Sequence, residues 1–539
     1  MKRCDLLLVN ARIHTMEREG ERAAAMAVHD GRIEALYPQD PAPGTVRRAR
    51  EVLDLGGRAV LPGLIDGHMH FLPASVLRET AVIVAEFGPD GLKTDLAAVR
   101  EKVRREAVRF RGRKPVFCFG YHIEASAEKR MPDRRELDEW LSGRELIVLS
   151  LDGHSSAYST AALSRLGLRQ KAPDGVLTGT AHELSMGKVN ALMASVVDLS
   201  MLAHGIQGTV NEALEQGLVC LHCLEGFEDS RTDPSLWLLS RCGGTLPVDL
   251  RLYVQYRDPA RLDRYRRFLK NPRIGGCYGW AMDGSVSSGT AAFDDPYLYD
   301  PQNRGRLYFD AEQARTLVGR ADAAGFQATS HAIGTRAIET LLSAYEQVLD
   351  GKGNPLRHRI DHFEFPTRDQ VRRAVALGLP IVAQPGFSWL DEKYIGGYRR
   401  KLTLEQFGRQ IPLRNIVESG GLIVGSSDYP AGLLSPWVGI QGMLEYPLER
   451  ERLGLHQALR TYTWNAAWAT GEEGRRGSLA AGKKADFLVM EEDPFTMPPS
   501  EIRNARVRET WIDGRRAPPM AVPAAAFWAR ALLGPRKKI

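Results

Sequence analysis

Apolar and polar positions change period twice along this chain. Over residues 1 to about 60 they alternate in short runs, DLLLVNARIHT, AAAMAVHDGRIEALY and a last run near EVLDLGGRAVL. Such alternation predicts strands, because successive side chains on a strand point to opposite faces. The pair Asp30-Gly31 predicts a hairpin turn between two of them, since Asp-Gly suits backbone with positive φ. Residues 477–516 have the same character, with GSLAAGKKADFLVM and VRETWIDGRRA around a second Asp-Gly pair at Asp513-Gly514. We expect the two segments to pair into one β-sandwich, split between 1–58 and 471–520, with a tail over 521–539.

Between these segments, apolar runs of strand length alternate with helical patterns. The runs are GLVCLHCLEG (217–226), PVDLRLYVQY (247–256), RIGGCYGWAMDG (273–284), FQATSHA (326–332), HRIDHFEF (358–365), LPIVAQP (379–385) and GLIVGSSD (421–428). The run that ends in PGLIDGHMH precedes them and makes eight. Helices are predicted where Asp310 can cap with Gln313 three residues on, and where Ile338, Leu341, Leu342, Tyr345 and Val348 share a face. The alternation predicts an α/β chain with a TIM-type (β/α)8 barrel over 59–71 and 211–470, whose site lies at the C-terminal strand ends. Residues 72–210 fall outside this count and carry strands of their own, KPVFCFGY (114–121) and ELIVLSLDGH (145–154). We expect an inserted α/β subdomain after the first barrel strand, capping the barrel mouth. No internal repeat or low-complexity segment is visible.

Composition narrows the class. With 539 residues, 43% hydrophobic and 26% charged, the chain reads as globular and larger than one small core. The net charge of +6 comes from scattered residues, and clusters such as RRAR at 47–50 read as solvated faces, so no nucleic-acid partner is expected. Six cysteines make no disulfide framework and suit a reducing compartment. The N-terminal apolar core, Leu6 to Val9, is shorter than a signal peptide requires, and AVPAAAFWARALL is broken by Pro523 and Arg530. A cytoplasmic protein without a membrane partner is expected. That C-terminal segment is suited to cover another part of the chain or a partner chain, which leaves a homodimer open.

The chemistry begins with His68 and His70. Positions two apart on a strand share a face, so both imidazoles can grip one metal ion. His331 ends the FQATSHA run, His362 lies in HRIDHFEF, and Asp428 closes GLIVGSSD. Each alone is better explained as a core histidine or a capping aspartate. Five at matching strand ends argue for a divalent ion, Zn²⁺ foremost, with Fe or Mn also suited to the donors. Cys220-Leu221-His222-Cys223 looks like half a zinc motif but has no second half, so core packing is expected.

PGLIDGHMH, SHAIGTRAIE, HRIDHFE, GSSDYP and GSLAAGKKADFLVM together resemble the amidohydrolase superfamily. LDGHSSAYSTAAL, TGTAHE, DGSVSSGTAAFDDPY and ALRTYTWNAAWATGEE are similar to the branch, amidohydrolase family 3, that includes N-substituted formamide deformylases. The likeness runs from about residue 5 to 516. It implies His68, His70, His331, His362 and Asp428 as metal-site residues, the split sandwich, and hydrolysis of a non-peptide C–N bond in a small molecule, an amide or N-substituted formamide. One departure stands out: Gly279 occupies the place, four residues before Asp283, where the family often carries a carboxylated lysine bridging two metals. The favoured arrangement is therefore one ion held by His68, His70, His331 and Asp428, with His362 on water or substrate. Otherwise Glu183 of TGTAHE is the candidate bridge. Cys277 shares strand parity with Gly279 and is a second candidate, its thiolate facing inward one layer deeper, although a small buried hydrophobe is the simpler reading of a free cysteine. Thr335 stands where the family usually has Asp, which predicts an altered hydrogen bond to His331.

A bound divalent ion brings the pKa of its water to about 7. Asp428 is expected to accept that water's proton and return it to the leaving nitrogen, while His362 helps polarise the scissile bond. His154, Tyr121 and His122 of the insertion are candidate substrate contacts. Two alternatives use the same frame: a mononuclear deaminase of an amidine-like substrate, and a catalytically silent binding protein, for which Gly279 and Thr335 speak. Trp280, Phe293, Tyr297, Phe387, Trp389 and Trp437 are expected in the loops, either walling an apolar substrate group or packing.

Overall fold

The computed structural model describes residues 4–42, 46, 48–85, 87–88, 91–92, 94–110, 114–226, 235–534 and 537–539, with backbone alone at 87, 88, 91, 180 and 183. Eight parallel strands hydrogen-bond in chain order: β1 (Leu64–Met69), β2 (Leu218–Glu225), β3 (Asp249–Val254), β4 (Arg273–Gly276), β5 (Gln327–Ala332), β6 (Arg359–His362), β7 (Ile381–Ala383) and β8 (Ile423–Gly425). The sheet edges meet just beyond β8, where the Asp428 N–H donates to the His68 carbonyl and the His70 N–H to the Tyr429 carbonyl, both at 2.8 Å. This is the expected (β/α)8 barrel. Its strands are buried on both faces, which is why they read as continuous apolar runs. Closure leaves no room for a side chain at Gly67, where a Cβ would lie 2.4 Å from Val424 Cγ1 and 2.9 Å from the Gly425 carbonyl oxygen.

Helices clothe the barrel. α1 (Phe71–Thr80) leaves β1 directly, α2 (Gly179–Ala194) and α3 (Leu199–Glu215) end the insertion, and α4 (Ser235–Cys242) follows β2. α5 (Ala311–Ala323) starts with the Asp310–Gln313 capping box, and α6 (Thr335–Leu349) buries Ile338, Leu341, Leu342 and Tyr345. The C-terminal α7 (Ala524–Leu533) buries Phe527 and Ala531. Its approach is fixed by Gln207 and Asn211 of α3, whose side chains bond the backbone of Val522 and Met520. The tail thus covers its own chain. Among the described residues no single helix is long and apolar enough to cross a membrane.

The ends of the chain form two sheets. Four N-terminal strands, Arg32–Tyr37, Ala25–His29, Leu6–Val9 and Glu51–Asp54, make one. In the other, Phe487–Met490 pairs antiparallel with Ala59–Pro62, Phe487 opposite Pro62 and Val489 opposite Val60. Met26, Val28, Ile13, Val60, Phe487 and Trp511 share the core between the sheets. Ala59–Pro62 therefore belongs to this sheet and not, as expected, to the barrel, which begins at Leu64. The insertion carries a five-stranded sheet where two strands were anticipated, in the order Val176–Thr178, Ser155–Tyr158, Leu146–Ser150, Val116–Tyr121 and Ala81–Ile83.

At the N-terminal end of the barrel the terminal segment is bolted on by charge. Arg251 of β3 grips Glu472 with Nε and Nη2 at 2.6 and 2.9 Å, and Lys270 bonds the same carboxylate. Asp249 accepts from Arg476 and from Lys484 at 3.3 Å. Both arginines are about 1% exposed, and the carboxylates beside them make their burial tolerable.

Candidate metal centre

The opposite end of the barrel gathers histidines. His68 Nδ1 lies 3.0 Å from Asp361 Oδ2 inside the barrel, which turns Nε2 toward the mouth. Asp428 Oδ1 stands 3.2 Å from that Nε2 and 3.4 Å from Nε2 of His70. His362 Nδ1 is 2.8 Å from Gln384 Oε1, so its Nε2 also faces the mouth. His331 Nε2 is turned to the Gly284 carbonyl at 3.2 Å and to Asp283 at 3.5 Å, leaving Nδ1 for the centre. His362 and Asp428 carry φ of +72° and +54°. Left-handed backbone at non-glycine residues costs about 1–3 kcal/mol and is commonly held at functional sites by its surroundings.

Cys277 lies within this ring, its Sγ 3.7 Å from His68 Nε2 and 3.9 Å from His362 Nε2. Three groups of ligand-type atoms each fall within 4.8 Å of one another: His68, His70 and Cys277; Cys277, His331 and His362; His68, His362 and Asp428. Burial alone would raise the Cys277 thiol, but His68, His331 and His362 hold it well below its ordinary value. Asp428 is likewise held down against burial by His68 and His70. His70, which burial would lower, is pushed up to about 9 by Asp428 and Cys277. An anionic pair among imidazoles, neutralised by their protons, is the charge pattern a divalent cation satisfies by displacing those protons. Tetrahedral coordination at usual Zn–N and Zn–O lengths spaces ligand atoms about 3.3 Å apart, and the Asp428 contacts with His68 and His70 match that spacing. The donor set fits a divalent ion.

A cavity of about 1010 Å³ opens over the cluster. Leu72 and Leu77 of α1, Met186 of α2, Leu202 of α3, Leu238 of α4 and Leu151 give it an apolar wall, and His122, Glu124, Asp152, His154 and Glu364 a polar one. Asp152 binds the insertion to the loop after β4, accepting hydroxyl hydrogens from Ser285 (2.7 Å), Ser288 (2.6 Å) and Ser287. It also accepts the His154 N–H at 3.2 Å, so the His154 segment is anchored over the mouth.

The structure brings His68, His70, His331, His362 and Asp428 together, and places His122 and His154 on the cavity wall. The His154 ring lies 5.7 Å from that of His331. Tyr121 is not there. Its hydroxyl donates to the Arg130 carbonyl at 2.7 Å, in the core on the far face of the inserted sheet. The cause is a register shift between Phe119 and Tyr121 at Gly120, φ +98°, which reverses the side-chain alternation. Glu183 lies on α2, but its side chain is outside the described residues. Thr335 accepts the Asp294 N–H at 3.1 Å, and Asp283 and Gly284, not position 335, face His331. Of the six aromatics, Phe387 lines the cavity, whereas Trp280 is buried and donates to the Tyr256 carbonyl at 3.0 Å. Asp361, Gln384 and Asp283 were not anticipated. Asp361 had one readable signal, Arg359 two positions before it on the same strand face.

The model of the Amidohydrolase family matches residues 51–518. An N-substituted formamide deformylase of Arthrobacter pascens is 26% identical over 95% of this chain and 97% of its own. A putative amidohydrolase, YtcJ, of Bacillus subtilis is 25% identical over 93% and 97%. The fold is shared with an uncharacterized metal-dependent hydrolase from Pyrococcus furiosus, with a TM-score of 0.69, 22% identity, and 92% of this chain and all of that chain covered.

Proposed function

Since this chain belongs to the amidohydrolase family, we propose that it is a metal-dependent hydrolase that cleaves the C–N bond of an N-substituted formamide or small amide. The observation that carries this reading is the convergence of His68, His70, His331, His362 and Asp428 at one barrel mouth under a large, mostly apolar cavity. His68, His70 and Asp428 would hold one divalent ion, zinc by donor type, with His331 and His362 beside it. When bound, the ion supplies Lewis acidity to the carbonyl and an acidified water.

The remaining work falls to the chain. Asp428 accepts the proton of the attacking water and delivers it to the leaving nitrogen. The products are then formate, or another carboxylate, and an amine. His154 donates to the substrate carbonyl oxygen from above. The apolar wall between α1, α3 and α4 takes the substituent and keeps bulk water from it, so N-substituents with several carbons are preferred to none. The N-substituted formamide deformylase of Arthrobacter pascens, alike over nearly the whole chain, supports this choice of bond.

Zinc-loaded protein, offered a series of N-alkyl and N-aryl formamides and the matching acetamides, should release the amine together with formate from the former or acetate from the latter. Asp428→Asn should not. Ammonia from amidine-like compounds, with no turnover of formamides, would replace hydrolysis by deamination. No turnover of either by metal-loaded protein would leave a binding protein.

A further inference from the structure

We propose that Cys277 is a ligand shared between two divalent ions, one held with His68, His70 and Asp428 and the other with His331 and His362. The proposal rests on the reading of this cluster as a metal centre. It goes beyond it in number of ions and in the group that joins them.

The groups of ligand atoms carry the argument. Cys277 closes a set with His68 and His70 and a second set with His331 and His362. A sulfur and a nitrogen on one tetrahedral zinc are about 3.6 Å apart; Cys277 Sγ meets His68 and His362 at 3.7 and 3.9 Å, once from each set. A single thiolate at that distance from both histidines is placed to serve two ions.

The backbone is built to put it there. β4 stops at Gly275 and Gly276, with φ of +106° and +140°, and a Cβ at 275 would stand 1.9 Å from the Thr329 carbonyl oxygen. These two residues turn the chain out of strand register, so Cys277 rises to the level of the histidines instead of one layer below. Oε1 of the buried Gln255 side chain then accepts the N–H groups of Cys277 and Tyr278 at 2.8 and 2.9 Å, and the main-chain carbonyl of Cys277 accepts the Ala281 N–H at 2.7 Å. Gly279 carries no side chain, and the nearest preceding lysine, Lys270, is bonded to Glu472 at the other end of the barrel. No lysine carbamate can therefore supply the bridge from this strand, and assembly needs no carbon dioxide.

Full-length chain stripped of metal and loaded with Co²⁺ under anaerobic, bicarbonate-free conditions should take up about two ions and show thiolate-to-cobalt charge-transfer absorption in the near ultraviolet. Cys277→Ser, with an unchanged circular dichroism spectrum, should lose that absorption and bind about one ion or fewer. Should that variant not fold, iodoacetamide labelling of wild type replaces it: the peptide holding Cys277 should be alkylated without metal and protected with it. Cobalt bound by wild type without the thiolate band, or equal alkylation with and without metal, overturns the bridge and leaves the hydrolase reading standing. Failure of wild type to bind cobalt at all overturns the metal centre itself.

Discussion

His68 and Asp361 meet in a contact with no solvent exposure, Nδ1 to Oδ2 at 3.0 Å, and Arg359 holds the same carboxylate at 3.0 Å. The carboxylate fixes the tautomer and orientation of the imidazole, and the guanidinium keeps the carboxylate charged. Partners of this kind are worth about 10–100-fold in metal affinity. Asp361→Ala should lower zinc affinity by that factor in a chelator competition. It should also lower the unfolding free energy of the metal-free chain by about 3–5 kcal/mol, because Arg359 is left buried and uncompensated.

Asp428 is placed both to hold metal and to carry a proton. Asp428→Asn keeps the shape and removes the base, so kcat should fall by about 10²–10⁴. Elemental analysis beside the kinetics separates the two roles. A variant that retains its metal and loses its rate marks a proton carrier, and a full rate in that variant would remove Asp428 from the chemistry.

Leu238 stands on the apolar wall, far from the proton chemistry in role. Leu238→Asn should lower kcat/KM about 10-fold for a formamide with a bulky apolar substituent and leave N-methylformamide almost unchanged, because a pocket methylene is worth about 1–3 kcal/mol. Equal losses on both substrates would place the substituent elsewhere.

The charged floor of the barrel sets an acid limit. Burial would raise Glu472 and Asp249, yet Arg476 and Arg251 hold both well below the carboxylate range, helped by Lys270 at Glu472 and by Lys484 at Asp249. In the unfolded chain they titrate near pH 4. The unfolded state therefore binds more protons as pH falls, and stability from this network is complete above about pH 5 and lost progressively below it. Guanidinium unfolding between pH 7 and 3 should show a steeper acid loss for wild type than for Glu472→Gln, which is weaker at neutral pH.

Much of this was legible in the sequence where one face of an element is all that matters. The eight strands announce themselves because burial on both faces makes them apolar throughout, and the five ligand-type residues stand at their ends. What escaped depended on backbone irregularities that break the period of two. The Gly275-Gly276 pair lifts Cys277 into the centre, and the shift at Gly120 turns Tyr121 away from it. Asp361 was hidden because a buried ion pair within a strand looks the same as a polar strand end until its partner is located. The strands at Ala81–Ile83 and Val176–Thr178 are too short to show a pattern.

The pairing of Ala59–Pro62 with Phe487–Met490 also sets a timetable. The strand that leads into β1 gains this neighbour only after the whole barrel has been synthesised. Until then one side of it is an unpaired apolar edge on a nascent chain, and its closure is among the most non-local contacts in the molecule. Synthesis halted before residue 487 leaves that edge open to other chains, so the late-made strand works as the clasp that makes this protein safe to release.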